Sequence, residues 1–226
     1  MTALAQEASV TAPALRKLAV VWTAFEGLLD QTPLMRRLSR GQFTREDYLA
    51  LLLNLRQQVV DGACWISRAA SSIDEAHFEL RSTLIGHAAT EHRDYQLIER
   101  DYVAAGGRLE DIRAGEKNVG SEALSAFMFH EAGKPNPFGL LGAMFIIEGL
   151  GSLKAAGWGR AIKDQLGLPD EAVRFLTYHG ANDSEHMQEF AGMLAMVLPD
   201  DAVEARIVRS AQVVARLYAL QIEEVR

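Results

Sequence analysis

The sequence contains a single cysteine, Cys64, and its basic residues are scattered, with no run longer than two. One cysteine excludes an internal disulfide framework and fits a reducing compartment. A net charge of −7 without a basic patch argues against a nucleic-acid or anionic-membrane surface. The N-terminal segment lacks the basic and apolar regions of a secretory signal, and the most apolar segment, FGLLGAMFIIEGLG, is short for a membrane span. We therefore expect a cytoplasmic protein.

Runs of alternating polar and apolar residues are also missing, whereas helical periodicity recurs along most of the 226 residues. With 49% hydrophobic residues, the chain can bury a substantial core. We predict an all-α fold, a single bundle of about seven helices formed by residues 13–226, preceded by a flexible arm over residues 1–12. The predicted helices cover residues 14–30, 44–70, 75–105, 121–132, 138–166, 169–198 and 200–225.

Three polar residues share one face of the sixth predicted helix. His179, Asp183 and His186 are spaced i, i+4 and i+7, so they lie on one side of a helix. The same stripe is otherwise apolar, and a carboxylate between two imidazoles is costly to bury without compensation. The set suits iron or a similar metal. A hydrogen-bonded His–Asp–His cluster without metal explains these three residues equally well.

The third predicted helix repeats this spacing with His87, Glu91 and Asp94. Taken one at a time, His87 or Asp94 would more often be an exposed residue of an amphipathic helix. Two matching polar trios on two helices favour a shared site. His92 lies on a different face, about 140° from His87, and we expect it to be solvated or to contact a ligand without binding the metal itself.

Glu148 is the seventh candidate, on an apolar helix face with no lysine or arginine one turn away. Such a glutamate should be protonated with a raised pKa or should bind a metal, although it could also cap a neighbouring helix. Gly149 and Gly151 weaken the helix beside it and leave room for a kink or a ligand. Carboxylates and imidazoles from three helices are the ligand supply of a dinuclear non-haem iron site.

Residues 146–190, with the motifs IIEGLGSLK and YHGANDSEH, resemble the haem-oxygenase-like di-iron oxidases, also called iron-containing redox enzymes, within the haem-oxygenase/TENA-like superfamily. That family shows a glutamate in a Glu-Gly context and then His-x3-Asp-x2-His. Residues 87–107 are similar to an earlier helix of the family, and the resemblance covers roughly residues 40–215. The family has a glutamate and a histidine on that helix. Here Glu91 matches the glutamate, but Asp94 follows one turn later, so either Asp94 replaces the histidine or His87 contributes.

The resemblance implies a haem-oxygenase-like bundle that activates O2 at two Fe(II) ions and oxidises a small organic substrate. It is compatible with an external electron donor and with a homodimer. Trp65, Phe145 and Trp158 are candidates for an apolar substrate lining. By resemblance, the catalytic residues are Glu148, His179, Asp183 and His186, and the metal ligands are these four together with Glu91, Asp94 and His87.

Other functions on related folds fit the sequence less well. A haem oxygenase needs a histidine on the first helix, and no histidine precedes His77. A thiaminase-like hydrolase needs a cysteine nucleophile, but Cys64 has no obvious base nearby and is better interpreted as a small core residue. A ferritin-like site is mimicked by Asp74-x-x-His77, where Asp74 is better interpreted as a cap in a turn. A metal-free oxidase of the same fold and a degenerate metal-binding or partner-binding helical protein stay open as alternatives.

Overall fold

The structure, a computed structural model, describes the backbone of residues 3–225 and the side chains of residues 10–179 and 189–225. Within these residues the chain is a bundle of α-helices without strands. The predicted all-α bundle is confirmed. The helices are α1 (Ala3–Gln31), α2 (Pro33–Ser39), α3 (Arg45–Ser71), α4 (Phe78–Glu91), α5 (Tyr95–Ala104), α6 (Leu109–Ala114), α7 (Val119–Ala132), α8 (Leu140–Leu150), α9 (Ala156–Leu166), α10 (Arg174–Val197) and α11 (Asp201–Glu223).

The sequence suggested a first helix that begins near Ala14. In the structure this helix begins at Ala3. It crosses the predicted boundary between arm and bundle, and Thr11 is already buried. Alanine is the best helix former, and the five alanines in residues 3–14 outweigh the polar residues among them. Pro13 is accommodated inside the helix, although it cannot donate a backbone hydrogen bond there.

The third predicted helix is divided into α4 and α5 by a turn over residues 92–94. The N–H of Asp94 bonds to the carbonyl of Glu91, which closes a tighter turn than an α-helix. The ring of His92 approaches the carbonyl of Ala89 at 2.9 Å, outside the bundle. The expected single helix over residues 75–105 is therefore wrong, and the break falls inside the trio of candidate ligands.

The predicted weak point after Glu148 is confirmed as a change of helix geometry. Helix α8 ends at Leu150, the five residues Gly151–Ala155 form a π-helix, and α9 continues from Ala156. Wider turns of this kind occur often at functional sites. A Cβ atom on Gly149 would lie 2.9 Å from the ring of Trp22, so glycine lets α1 approach closely at this level.

Helix α8 lies at the centre of the bundle against α11. A Cβ atom on Gly142 would lie 1.9 Å from the carbonyl oxygen of Ile207, so only glycine permits this crossing. The span Leu140–Leu166 is long and apolar enough to cross a membrane by composition, but 56% of its most apolar stretch is buried inside the bundle. Burial against neighbouring helices accounts for its apolar character.

Candidate metal centre

The first turn of α10 is fixed by a carboxylate of α5. Asp101 is fully buried, and its Oδ2 accepts a hydrogen bond of 2.8 Å from the backbone N–H of Phe175. The hydroxyl of Tyr48 on α3 donates to the carbonyl of Ala172 just before this helix, at 2.6 Å. These two bonds hold the start of α10 against α3 and α5, and His179 follows one turn later.

The ring of His179 has a defined orientation. Its Nδ1 lies 2.9 Å from the carbonyl oxygen of Phe175. Because a carbonyl can only accept, Nδ1 carries a proton and donates it. Metal-binding histidines usually have their second nitrogen held in this way. The other nitrogen, Nε2, is directed towards Asp94 at 3.2 Å.

Glu91, Asp94 and His179 form what we call the first cluster. One potential ligand atom from each residue lies within 4.8 Å of the others. Glu91 is the last residue of α4, and Asp94 directly precedes α5. The turn between these helices therefore brings both carboxylates to the ring of His179. All three side chains are partly buried.

The pKa values of Glu91 and His179 in the first cluster are displaced towards the protonated forms. Burial, together with the negative charges of Glu148 and Asp94, raises the pKa of Glu91 to about 7, although His179 opposes this shift. Burial lowers the pKa of His179, but its hydrogen bond to Asp94 and the nearby carboxylates outweigh this and raise the pKa to about 9. Protons thus compensate for negative charge that a metal ion could neutralise, and metal binding would have to displace them.

His87, Glu148 and Glu189 form the second cluster. The Nε2 atom of His87 lies 3.3 Å from Oε1 of Glu148, and its Nδ1 lies 3.4 Å from Oε2 of Glu189. His87 is almost completely buried, with 2% of its side chain exposed, whereas Glu189 is 38% exposed. Burial lowers the pKa of His87, but Glu148 and the other nearby carboxylates raise it above its ordinary value.

The structure places Asp94 and His87 in different clusters. Asp94 and His87 were candidates for one ligand position, but Asp94 faces His179 and His87 faces Glu148. The broken helix is the reason, because the turn over residues 92–94 redirects Asp94 relative to a continuous helix. Asp183 and His186 lie on the backbone of α10, but their side chains are outside the described residues.

Two residues near the clusters were missed by the sequence analysis. Glu189 follows His186 at i+3, so one more turn of the same motif would have included it. Asp101 reaches α10 from another helix, and its role depends on a backbone N–H that no sequence pattern reveals. Burial raises the pKa of Asp101 to about 7, opposed by hydrogen bonds from the backbone of Phe175 and Arg174.

A cavity of about 120 Å³ lies beside the clusters. Glu91, Glu148 and His179 form part of its wall, and the remainder is mainly aliphatic and aromatic. Trp65 and Trp158 belong to this wall, as the sequence suggested. Phe145 instead packs its ring against those of Trp22 and Phe190.

The residues of two alternative functions lie apart from the cavity wall. Cys64 is exposed, and its Sγ lies 3.8 Å from the carbonyl oxygen of Val60, so its interpretation as a core residue is wrong. It sits on the outer side of α3, which packs its other faces against the bundle. Asp74 and His77 contact each other at 2.8 Å, and both side chains are substantially exposed. Neither Cys64 nor the Asp74–His77 pair forms a buried site.

The described donors suit an iron ion. The first cluster offers two carboxylates and an imidazole whose orientation is fixed, a mixed oxygen and nitrogen set that suits Fe(II) among other divalent metals. Burying carboxylates close together is costly unless a cation compensates them. The pKa of Glu91 is raised because its charged form is unfavourable when it is buried beside other carboxylates.

Comparison with known proteins identifies the family. Residues 71–219 match the family of iron-containing redox enzymes. The chain belongs to that family. The match includes α4, α5, α8 and α10, the helices that carry both clusters. No curated protein matches the sequence significantly.

Solved structures agree with the haem-oxygenase-like fold of this family. A domain of unknown function with a haem-oxygenase-like fold from Shewanella denitrificans OS217 aligns with a TM-score of 0.84 and 19% identity, over 92% of this chain and 89% of that one. A TenA homologue from Pseudomonas syringae pv. tomato aligns with a TM-score of 0.77 and 12% identity, over 94% and 92%. A TenA homologue from P. horikoshii gives 0.62 and 16%, over 95% and 97%. The TM-scores show a shared fold, and at these identities the likeness extends to the fold alone.

Proposed function

We propose that this member of the iron-containing redox enzymes is a non-haem di-iron oxidase or oxygenase that uses O2 to oxidise a small organic molecule. The observation that carries the proposal is the juxtaposition of two carboxylate–imidazole clusters beside one apolar cavity. Two clusters fit two metal positions. The influence of the Glu148 charge on the pKa of Glu91 supports a short distance between them.

In this proposal, Glu91, Asp94 and His179 hold the first iron ion. Glu148 lies towards the second position, to which His87 and Glu189 belong, and it is the candidate for a bridging carboxylate. Asp183 and His186 complete the second position by their spacing in the sequence. When bound, the iron pair supplies the capacity to react with O2 and to accept electrons.

The protein itself contributes orientation and exclusion of water. The carbonyl of Phe175 holds the His179 ring so that Nε2 faces the first metal position. The apolar wall, which includes Trp65 and Trp158, binds the hydrocarbon part of a substrate beside Glu91 and Glu148. We further propose a cytoplasmic location, an external electron donor and a homodimeric state, as the sequence suggested.

Anaerobic reconstitution with Fe(II) tests the metal centre. We expect the wild-type protein to bind two iron ions per chain and to develop a transient visible absorption band on exposure to O2. His179→Ala should bind less iron and lose the band. His77→Ala is the matched control, because it removes an exposed imidazole that pairs with Asp74. Equal iron content in wild type and His179→Ala would refute the proposal.

A metal-free oxidase of the same fold is the second candidate. The observation that favours it is the second cluster, in which both ring nitrogens of His87 face carboxylates, so that a protonated imidazole offsets one of the two negative charges without a metal ion. This candidate predicts oxidation of a substrate by protein freed of metal with a chelator. Activity that disappears with the iron and returns with Fe(II) would exclude it.

A further inference from the structure

A third acidic side chain, Asp61 on α3, lines the cavity at a distance in sequence from both clusters. Its Oδ2 atom accepts a hydrogen bond of 2.6 Å from the hydroxyl of Ser125 on α7 and lies 3.1 Å from Nζ of Lys117. Asp61 thus has one oxygen committed to the protein. The side chain is 20% exposed, so it is partly desolvated but still reachable.

Among the described residues, the hydrogen bond and the ion pair of Asp61 both involve Oδ2, and its second carboxylate oxygen takes part in neither. Ser121, one turn before Ser125 on α7, also lines the cavity. Ser121 is 2% exposed, and among the described residues its hydroxyl has no hydrogen-bond partner. A buried hydroxyl without a partner, in the same cavity lining as the partly exposed carboxylate of Asp61, indicates a bound polar group.

The surroundings restrict this ligand to a small and mainly apolar molecule. Most of the wall between the polar groups is apolar, including Leu55, Met128 and Leu150. A cavity of about 150 Å³ lined by apolar side chains can bind benzene, so the 120 Å³ here suits a body of roughly six carbon atoms. One polar end and one apolar body are therefore expected.

We propose that the cavity binds a compact primary amine, with its ammonium group at Asp61 and its hydrocarbon body along the apolar wall. An ammonium group donates to the open oxygen of Asp61 and, through a second hydrogen, to Ser121. Lys117 lies on the other oxygen and leaves this position open. Cations held by Glu91, Glu148 and His179 would repel the ammonium group, so the amine enters with its hydrocarbon end towards the metal centre. This orientation rests on the proposed function, whereas binding at Asp61 does not.

Tryptophan fluorescence can test the binding, because Trp65 and Trp158 line the cavity. Hexylamine, hexanol and hexanoate differ only in the head group and are titrated into the full-length protein, with and without Fe(II). We expect hexylamine to bind most tightly. Asp61→Asn should weaken hexylamine binding by about 10-fold, the usual effect of losing a hydrogen bond to a charged group, and should leave hexanol unchanged.

Two further variants separate the local contact from overall charge. Glu116→Gln removes one negative charge from an exposed neighbour of Lys117 and should leave hexylamine affinity unchanged. Lys117→Gln removes the competing cation and should strengthen hexylamine binding a few-fold. Equal affinity of wild type and Asp61→Asn for hexylamine, or preference for hexanoate in the metal-free protein, would overturn the proposal. Because these titrations include metal-free protein, a failure of iron binding would count only against the proposed function.

Discussion

The first and second clusters contain the same kinds of side chain but hold their histidines differently. His179 uses Nδ1 for a backbone carbonyl and presents Nε2 to Asp94. His87 presents both ring nitrogens to carboxylates, Glu148 on one side and Glu189 on the other. The first arrangement leaves one nitrogen in place for a metal ion. The second is a carboxylate–imidazole–carboxylate chain that must rearrange before His87 can bind one.

Their locations in the fold explain this difference. The first cluster lies at a helix break and at the anchored start of α10, where backbone groups of Phe175 orient the side chains. The second cluster is formed by side chains that lie within helices α4, α8 and α10, with His87 one turn before the end of α4 and Glu148 just before the π-helix. We infer that the first position is preorganised for metal and that the second depends more on which side chains the metal recruits.

The largest expected effect distinguishes the two histidines. His179→Ala should lower iron affinity at the first position by about 100-fold or more, because it removes the oriented nitrogen ligand. His87→Gln should leave iron at that position and reduce the total only at the second. Iron titration under anaerobic conditions, followed by metal analysis after gel filtration, measures both.

The opposite effects of the two substitutions on iron binding would reverse the assignment of the preorganised position. If His87→Gln lost all bound iron while His179→Ala kept one ion per chain, the second cluster would be the preorganised position. Thermal unfolding of both metal-free variants provides the control, since His87 is buried and its replacement could destabilise the bundle. Only variants with an intact cooperative transition are compared.

A smaller effect is expected from Asp94→His, which makes the first cluster more like the family pattern of a glutamate and a histidine. An imidazole in place of the carboxylate gives a more nitrogen-rich set, and we expect iron affinity to rise by about 10-fold. Asp94→Asn keeps the size of the side chain but removes its charge, and should lower the affinity. If both variants bound iron as wild type does, Asp94 would not be a ligand.

Much of the fold could be predicted because helix periodicity and end signals are local. Thr44 caps α3 and exchanges hydrogen bonds with Asp47. On α11, the apolar residues Val203, Ile207, Ala211 and Val214 recur at helical spacing and are buried. The break after Glu91 could not be predicted in this way. It contains neither proline nor glycine, and it depends on packing against α3 and α10.

The candidate site was predictable to the extent that ligands share a helix face. The spacing of His87 and Glu91 brought both residues to the correct region, and the apolar surroundings of Glu148 marked it as unusual. Contacts between helices were beyond that argument. The division into two clusters arises from how α4, α5 and α10 cross, and the anchoring by Asp101 arises from a hydrogen bond to a backbone group.

The smallest expected effect concerns Asp101, which anchors the helix of the first cluster without belonging to it. Asp101→Asn keeps an acceptor for the N–H of Phe175, so iron affinity should change by less than about 3-fold. Asp101→Leu removes the acceptor, leaves the N–H unpaired and should weaken iron binding by about 10-fold. Rescue by asparagine but not by leucine would show that the hydrogen bond, and not the charge, positions His179.

The charge of Asp101 should be visible in the pH dependence of stability instead. Its folded pKa, about 7, exceeds the ordinary value near 3.9, so the protonated carboxyl favours the folded state at low pH. This contribution is lost progressively as the pH rises from about 4 to about 7, whereas Asp101→Asn has no group to ionise. In urea unfolding of the metal-free protein, the free energy of unfolding of Asp101→Asn relative to wild type should therefore increase between pH 5 and pH 8, by on the order of 2 kcal/mol. A difference independent of pH would mean that the buried carboxyl carries no such cost.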